Sequence, residues 1–128
     1  MLSIVLLVAC FYVVQLLLPM IFSLHKVPFK NFTHVGGDKS KLLEISSRAA
    51  DATKNFHETL PVFFALALLS LVFEVDNTQA ACIWLYARIA YYILACLNLF
   101  TYPYLRPAVW LVSIGALACM GINLFDIA

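Results

Sequence analysis

The chain has 128 residues, of which 64% are hydrophobic and 12% charged, and its mean hydropathy is +0.95. Soluble domains hold about 45–50% apolar and about 25% charged residues, so the composition is that of an integral membrane protein of single-domain size. A formal net charge of +1 without a basic cluster gives no footing for nucleic acid. Residues 1–24 carry no charged side chain and are long enough for a transmembrane helix, with a kink expected near Pro19. "LVAC" at 7–10 has the look of a lipoprotein cleavage box, but no positive residue precedes Lys26 and the apolar run continues past Cys10. An uncleaved first span is the better reading. A polar loop follows, broken by Pro28 and the Gly36-Gly37 pair. Helical text resumes near Lys41, and the second span is expected over about 48–73, because its uncharged part alone is too short to cross. "EVDN" at 74–77 is an acidic turn, the third span runs over about 78–102, "YPYLRP" turns the chain again, and the fourth span covers about 107–125. Cys10, Cys82, Cys96 and Cys119 all sit inside apolar stretches, so they form neither a disulfide framework nor a zinc site.

Four spans in one chain imply an all-α, antiparallel four-helix membrane bundle. Lys26, Lys30, Lys39, Lys41, Arg48, Lys54 and Arg106 fall on one side, and Glu74, Asp76 and Asp126 on the other. The positive-inside rule then puts the basic loops in the cytoplasm and both termini outside, in the periplasm for a bacterial inner membrane.

Two polar stripes run into these apolar spans. At helical spacing Arg48, Asp51, Asn55 and Glu58 fall within about 80° of one another, whereas His57 points elsewhere. A solvated helix end with i,i+3 pairing accounts for Arg48, Asp51 and Lys54. It accounts less well for Asn55 and Glu58, which stand directly before "TLPVFFALALLSLVF". In the third span Arg88, Tyr91, Ala95, Asn98 and Tyr102 share a face. An arginine inside a span needs a partner. Glu58 is the expected one, in a structural ion pair; the alternative is that Arg88 serves a ligand. Tyr91 and Asn98 have bland roles as interhelical hydrogen-bonding groups, and Tyr102 as an interfacial aromatic. With Arg106, these residues make a pocket of cations, hydroxyls, an amide and a carboxylate, suited to a small zwitterionic or anionic ligand. No nucleophile–base pair, metal-ligand spacing or phosphate-binding glycine loop accompanies it.

The pattern R-x-x-x-x-x-x-N-x-x-E-x-x-P-x-F, from Arg48 through Asn55, Glu58 and Pro61 to Phe63, resembles the second-helix signature of the MAPEG family, the membrane-associated proteins in eicosanoid and glutathione metabolism. "ARIAYYILACLNLFTYPYLR" at 87–106 is similar to that family's third-helix region. The resemblance covers the whole chain. It implies a homotrimer with sites between subunits, where glutathione is the co-substrate and is activated as a thiolate for transfer to, or peroxidase action on, lipophilic substrates drawn from the lipid, a detoxification chemistry. Carried over by position, Asn55, Glu58 and Tyr91 bind glutathione and Arg106 is catalytic; Arg48, Arg88 and Tyr102 join the binding set. The chain departs from the family in having Asp51 where studied members have an arginine, and Ala95 where they have a second tyrosine. The paired arginines ending the first helix are missing, and Arg106 comes two residues late. Two alternatives stand beside the transferase. One is a family fold serving as a ligand-binding or interaction module without glutathione chemistry. The other is a small multidrug transporter, which wants a buried acid in the first span where this chain has only Gln15 and Pro19.

Overall fold

Helix α2 (Glu44–Val72) has 29 residues, about 43 Å at 1.5 Å per residue, against a hydrocarbon core about 30 Å thick. It is therefore long enough to cross with its polar first turns left outside the hydrocarbon. The computed structural model describes residues 1–23 and 44–128. The basic loop expected between the first two spans, with Lys26, Lys30, Lys39 and Lys41, lies outside the described residues. Three more helices complete the described chain: α1 (Leu2–Ser23), α3 (Thr78–Cys96) and α4 (Leu105–Phe125). All four are long and apolar enough to cross a membrane, and there is no strand among the described residues.

Neighbouring helices run antiparallel, as their cross-links show. Tyr12 meets His57 and Gln15 meets Thr53 between α1 and α2. Arg88 meets Asn55 and Asn77 meets Ser70 between α2 and α3. Tyr91 meets Arg106 and Asn77 meets Met120 between α3 and α4. In lipid, close packing rather than water exclusion holds such helices together. The Phe63 and Trp84 rings stack at 4.1 Å and 7°, with Ile4, Val8, Leu117 and Met120 closing the same core from α1 and α4. Nearer the polar end, Ala49, Ala52 and Ala95 let α2 and α3 approach around Tyr91 and Tyr92.

At Pro19, where a kink is expected, the helix carries a hydrogen-bonding device. Proline cannot donate to the carbonyl four residues back, which is that of Gln15. That carbonyl accepts instead from Thr53 Oγ1 of α2 (3.3 Å), whose hydroxyl also reaches the Ala49 carbonyl at 2.9 Å. The helix continues through Pro19 to Ser23, with the freed acceptor turned into an interhelical tie, as membranes require of stray backbone groups.

At the opposite end a buried amide joins three helices. Asn77 donates to Ser70 Oγ (2.8 Å) and to the Met120 carbonyl (3.2 Å), and accepts from Asn123 Nδ2 (2.7 Å). Asn77→Ala is expected to cost about 1–3 kcal/mol, seen as a lower apparent unfolding temperature in detergent; an unaltered melt would show that Asn77 does not hold the three helices together. Just before it, α2 ends with the Val75 N–H on the Ser70 carbonyl (2.9 Å) and Glu74 at φ 55. This is a left-handed helix cap, usually glycine's task. In the same turn hydrogen bonds from Thr78, its side chain first and its backbone second, hold the Asp76 carboxyl below its ordinary value. A depressed acid stabilises above its unfolded value of about 3.9, and that support is lost as pH falls through the lowered one.

One boundary is corrected. The third helix ends at Cys96, not near Tyr102: Asn98 takes a left-handed conformation (φ 59) and a 3-10 turn follows at Leu99–Thr101. The fourth helix begins at Leu105, so Arg106 belongs to its first turn rather than to the preceding loop.

Candidate functional site

The stripe on α2 forms one wall of a cavity of about 420 Å³, in the usual range for small-molecule sites. Arg48, Asp51, Lys54, Asn55 and Glu58 line it from α2, Tyr91 and Ala95 from α3, Asn98 and Phe100 from the turn, and Arg106 from α4. Asn55, Glu58, Tyr91 and Arg106 also line a second cavity of about 360 Å³, which extends to Pro107 and Trp110. These four residues are thus the partition between two chambers: one rich in charge, the other walled by a proline and an indole.

Arg88 is not in either lining. It is 2% exposed and stands behind the partition, donating to Asn55 Oδ1 (2.7 Å) and Thr59 Oγ1 (2.8 Å). The expected ion pair with Glu58 is corrected: helix packing brings an amide and a hydroxyl, not the carboxylate, within the guanidinium's reach. Thr59 can accept because its own proton goes to the Phe56 carbonyl (3.1 Å). Asn55 has its oxygen occupied, so its NH₂ group is the end offered to the cavity. Arg88 also lies 5.9 Å from the ring centres of both Trp84 and Tyr91, a distance at which aromatic faces still favour a cation.

Arg106 Nε donates to the Tyr91 hydroxyl oxygen at 3.2 Å. The Tyr91 oxygen accepts that bond, which leaves its proton to donate to something else. At the other end Arg48 donates to the Cys96 carbonyl (3.3 Å), one of the orphan acceptors closing α3.

Tyr102 stands apart. The left-handed turn at Asn98 breaks the face it was expected to share, and it is 66% exposed outside both linings. Thr59, Phe100 and Trp110 enter the site's surroundings without having been singled out from sequence. Thr59 had a signal, since it lies four residues after Asn55 and continues the same helical face; the other two had none. His57 points away, bonded to Tyr12 (2.9 Å).

The model of the MAPEG family matches residues 1–125 of this chain. The chain belongs to the MAPEG family. No curated protein and no solved structure matches it. MAPEG membership makes this a membrane protein of glutathione- or eicosanoid-related metabolism in general, and the transporter alternative falls with it. Within the MAPEG frame, the residues that carried the resemblance on α2 all meet the charged chamber except Pro61 and Phe63, which lie farther along the helix.

Proposed function

We propose that this MAPEG protein binds glutathione in the charged chamber and uses its thiolate against lipophilic electrophiles or peroxides that enter through the second chamber. The observation that carries the reading is the Arg106–Tyr91 pair, set in the wall shared by the charged chamber and the one that extends to Pro107 and Trp110. A guanidinium there lowers a bound thiol's pKa from about 8.5, and the Tyr91 proton donates to the same sulfur. Glu58 holds the ligand's ammonium, the Asn55 amide its peptide oxygen, and Arg48 a carboxylate. Arg88 acts through Asn55 and is a positioning residue; Tyr102 is left out of the set.

In transfer, the thiol proton leaves to solvent and the sulfur lone pair forms a bond to the electrophilic carbon. The leaving group departs with its electron pair, or an activated double bond takes up a proton. In peroxide reduction, the sulfur takes the terminal peroxide oxygen, releasing an alcohol and a sulfenic acid that a second glutathione converts to disulfide and water. We further propose a homotrimer in a bacterial inner membrane with the charged chamber at the cytoplasmic face. The lysine and arginine bias of the connecting segments and the family assignment support this placement.

The test is a titration of purified protein in detergent with glutathione, following thiolate ultraviolet absorbance, with oligomeric mass from native mass spectrometry of the same sample. A saturable signal on a trimer is expected, weakened at least tenfold in Glu58→Gln, a loss of about 1.4 kcal/mol. Absence of any thiolate at millimolar glutathione would turn the reading to the non-catalytic alternative.

A further inference from the structure

The turn that closes α3 forms part of the charged chamber's wall, through Asn98 and Phe100. Asn98 stands in the left-handed region at φ 59, where glycine and asparagine are tolerated best. Its backbone N–H returns to the Ala95 carbonyl at 3.1 Å. Its exposed side chain makes no hydrogen bond to any described residue. Both ends of the amide, the NH₂ donor and the carbonyl acceptor, are therefore on offer at the chamber wall. Two residues on, the Phe100 ring packs on that of Tyr91, their centres 4.8 Å apart at 53°. The turn is thus pinned at both ends, and the amide sits on a fixed backbone.

Arg48 reaches the same place from α2. Its guanidinium donates to the Cys96 carbonyl at 3.3 Å, two residues before Asn98, and it lines the same chamber. Arg48 and Glu58 lie ten residues apart on α2, about 15 Å along the helix axis. In the reading above, Glu58 holds the ammonium of glutathione. The α-carboxylate shares a carbon with that ammonium, so the carboxylate that reaches Arg48 is the glycyl one. An ionised carboxylate presents about four acceptor sites, more than a guanidinium that also serves a helix carbonyl can fill. The NH₂ group of Asn98 supplies a further donor, and a hydrogen bond to an ionised acceptor is of the stronger kind. Asp51 lines this chamber too, and a second donor on the arriving carboxylate works against that like charge.

We infer, resting on the glutathione reading above, that Asn98 is a further ligand-binding residue whose side-chain amide donates to the glycyl carboxylate beside Arg48. The left-handed turn that ends α3 is what carries this donor to the chamber. No bond is made or broken at this end, and the sulfur chemistry is untouched.

Glycine adopts a left-handed backbone without steric cost, so Asn98→Gly removes the amide and keeps the turn. Asn98→Asp keeps the side chain's shape and exchanges its donor for a negative charge. Both variants and the unaltered full-length protein are titrated in detergent, by thiolate absorbance, with glutathione and with glutathione esterified at its glycyl carboxyl. Apparent unfolding temperatures are taken on the same samples. Asn98→Gly is expected to raise the glutathione midpoint about tenfold, and Asn98→Asp further, with unfolding temperatures close to that of the unaltered protein. For the ester, which is uncharged at that end, both penalties shrink to within about twofold. An unchanged glutathione midpoint in Asn98→Gly overturns the inference and leaves the amide a turn residue only, while the glutathione reading stands. An equal loss for both thiols, or a loss that comes with a lowered unfolding temperature in Asn98→Gly, overturns it as well, since either marks damage to the turn. If the unaltered protein gives no thiolate signal with either thiol, the glutathione reading falls and this inference with it.

Discussion

Arg106→Ala is expected to abolish most thiolate absorbance at neutral pH and to lower turnover on the order of 10²-fold, the usual effect of losing one preorganised charge-stabilising donor. The side chain is the one cation in the partition between the two chambers, 3.2 Å from the Tyr91 oxygen. Without it the bound sulfur returns towards an ordinary thiol, about 8.5, and only a few per cent is ionised at pH 7. The sign in pH follows. A depressed sulfur pKa gives activity that rises through an inflection below 8.5, and the alanine variant moves that inflection upward. At alkaline pH the two proteins therefore converge, which a merely misfolded variant would not do. Arg106→Lys keeps a charge but not the planar Nε donor to Tyr91, so it should fall between them. An unshifted pH profile in Arg106→Ala would relocate thiol activation to another residue.

Arg88→Ala is expected to have the largest effect on the fold. Its guanidinium is 2% exposed and bridges Asn55 and Thr59 at 2.7 and 2.8 Å, with the Trp84 and Tyr91 rings flanking it at 5.9 Å. Truncation leaves two polar acceptors facing a new void, at a cost of about 3–5 kcal/mol. The function should suffer separately, because Asn55 loses the partner that fixes its amide: the glutathione titration midpoint rises while turnover at saturation holds. Arg88→Lys, a point charge that cannot span both acceptors as a fork does, should restore part of the melt and little of the affinity. A variant with normal melting and normal titration would show Arg88 to be dispensable to both.

Legibility differed from helix to helix for physical reasons. Runs without charge, such as 1–24 and 107–125, announce a span by composition alone. The α2 stripe was legible because a helix repeats its face every three to four residues, and Arg48, Asp51, Asn55 and Glu58 keep that spacing into the cavity. The end of α3 was not, because "LNLFTY" is as apolar as the helix before it. What stops the helix is the backbone of Asn98, at φ 59, and left-handed asparagines leave no trace in hydropathy. Tyr102 was misplaced by that one residue. The partner of Arg88 was misjudged because charge logic favours a carboxylate, whereas the register of α2 against α3 selects Asn55 and Thr59. The two-chamber division depends on α4 bringing Arg106 and Trp110 to the same wall, a tertiary fact that no single helix encodes.

The polar partition also bears on how the chain is made. Of the four helices, α1 and α4 are the more apolar, while α2 and α3 carry the cavity residues and are the less so. Handed singly to the insertion machinery, α3 would present the bilayer with a naked arginine, among the least tolerated residues at mid-span. In the folded hairpin joined by the 73–77 turn, Asn55 and Thr59 stand beside that charge. An α2–α3 pair entering the membrane as one unit would meet that charge at a lower cost than α3 alone, so the residues that equip the site also bear on how its walls can be built.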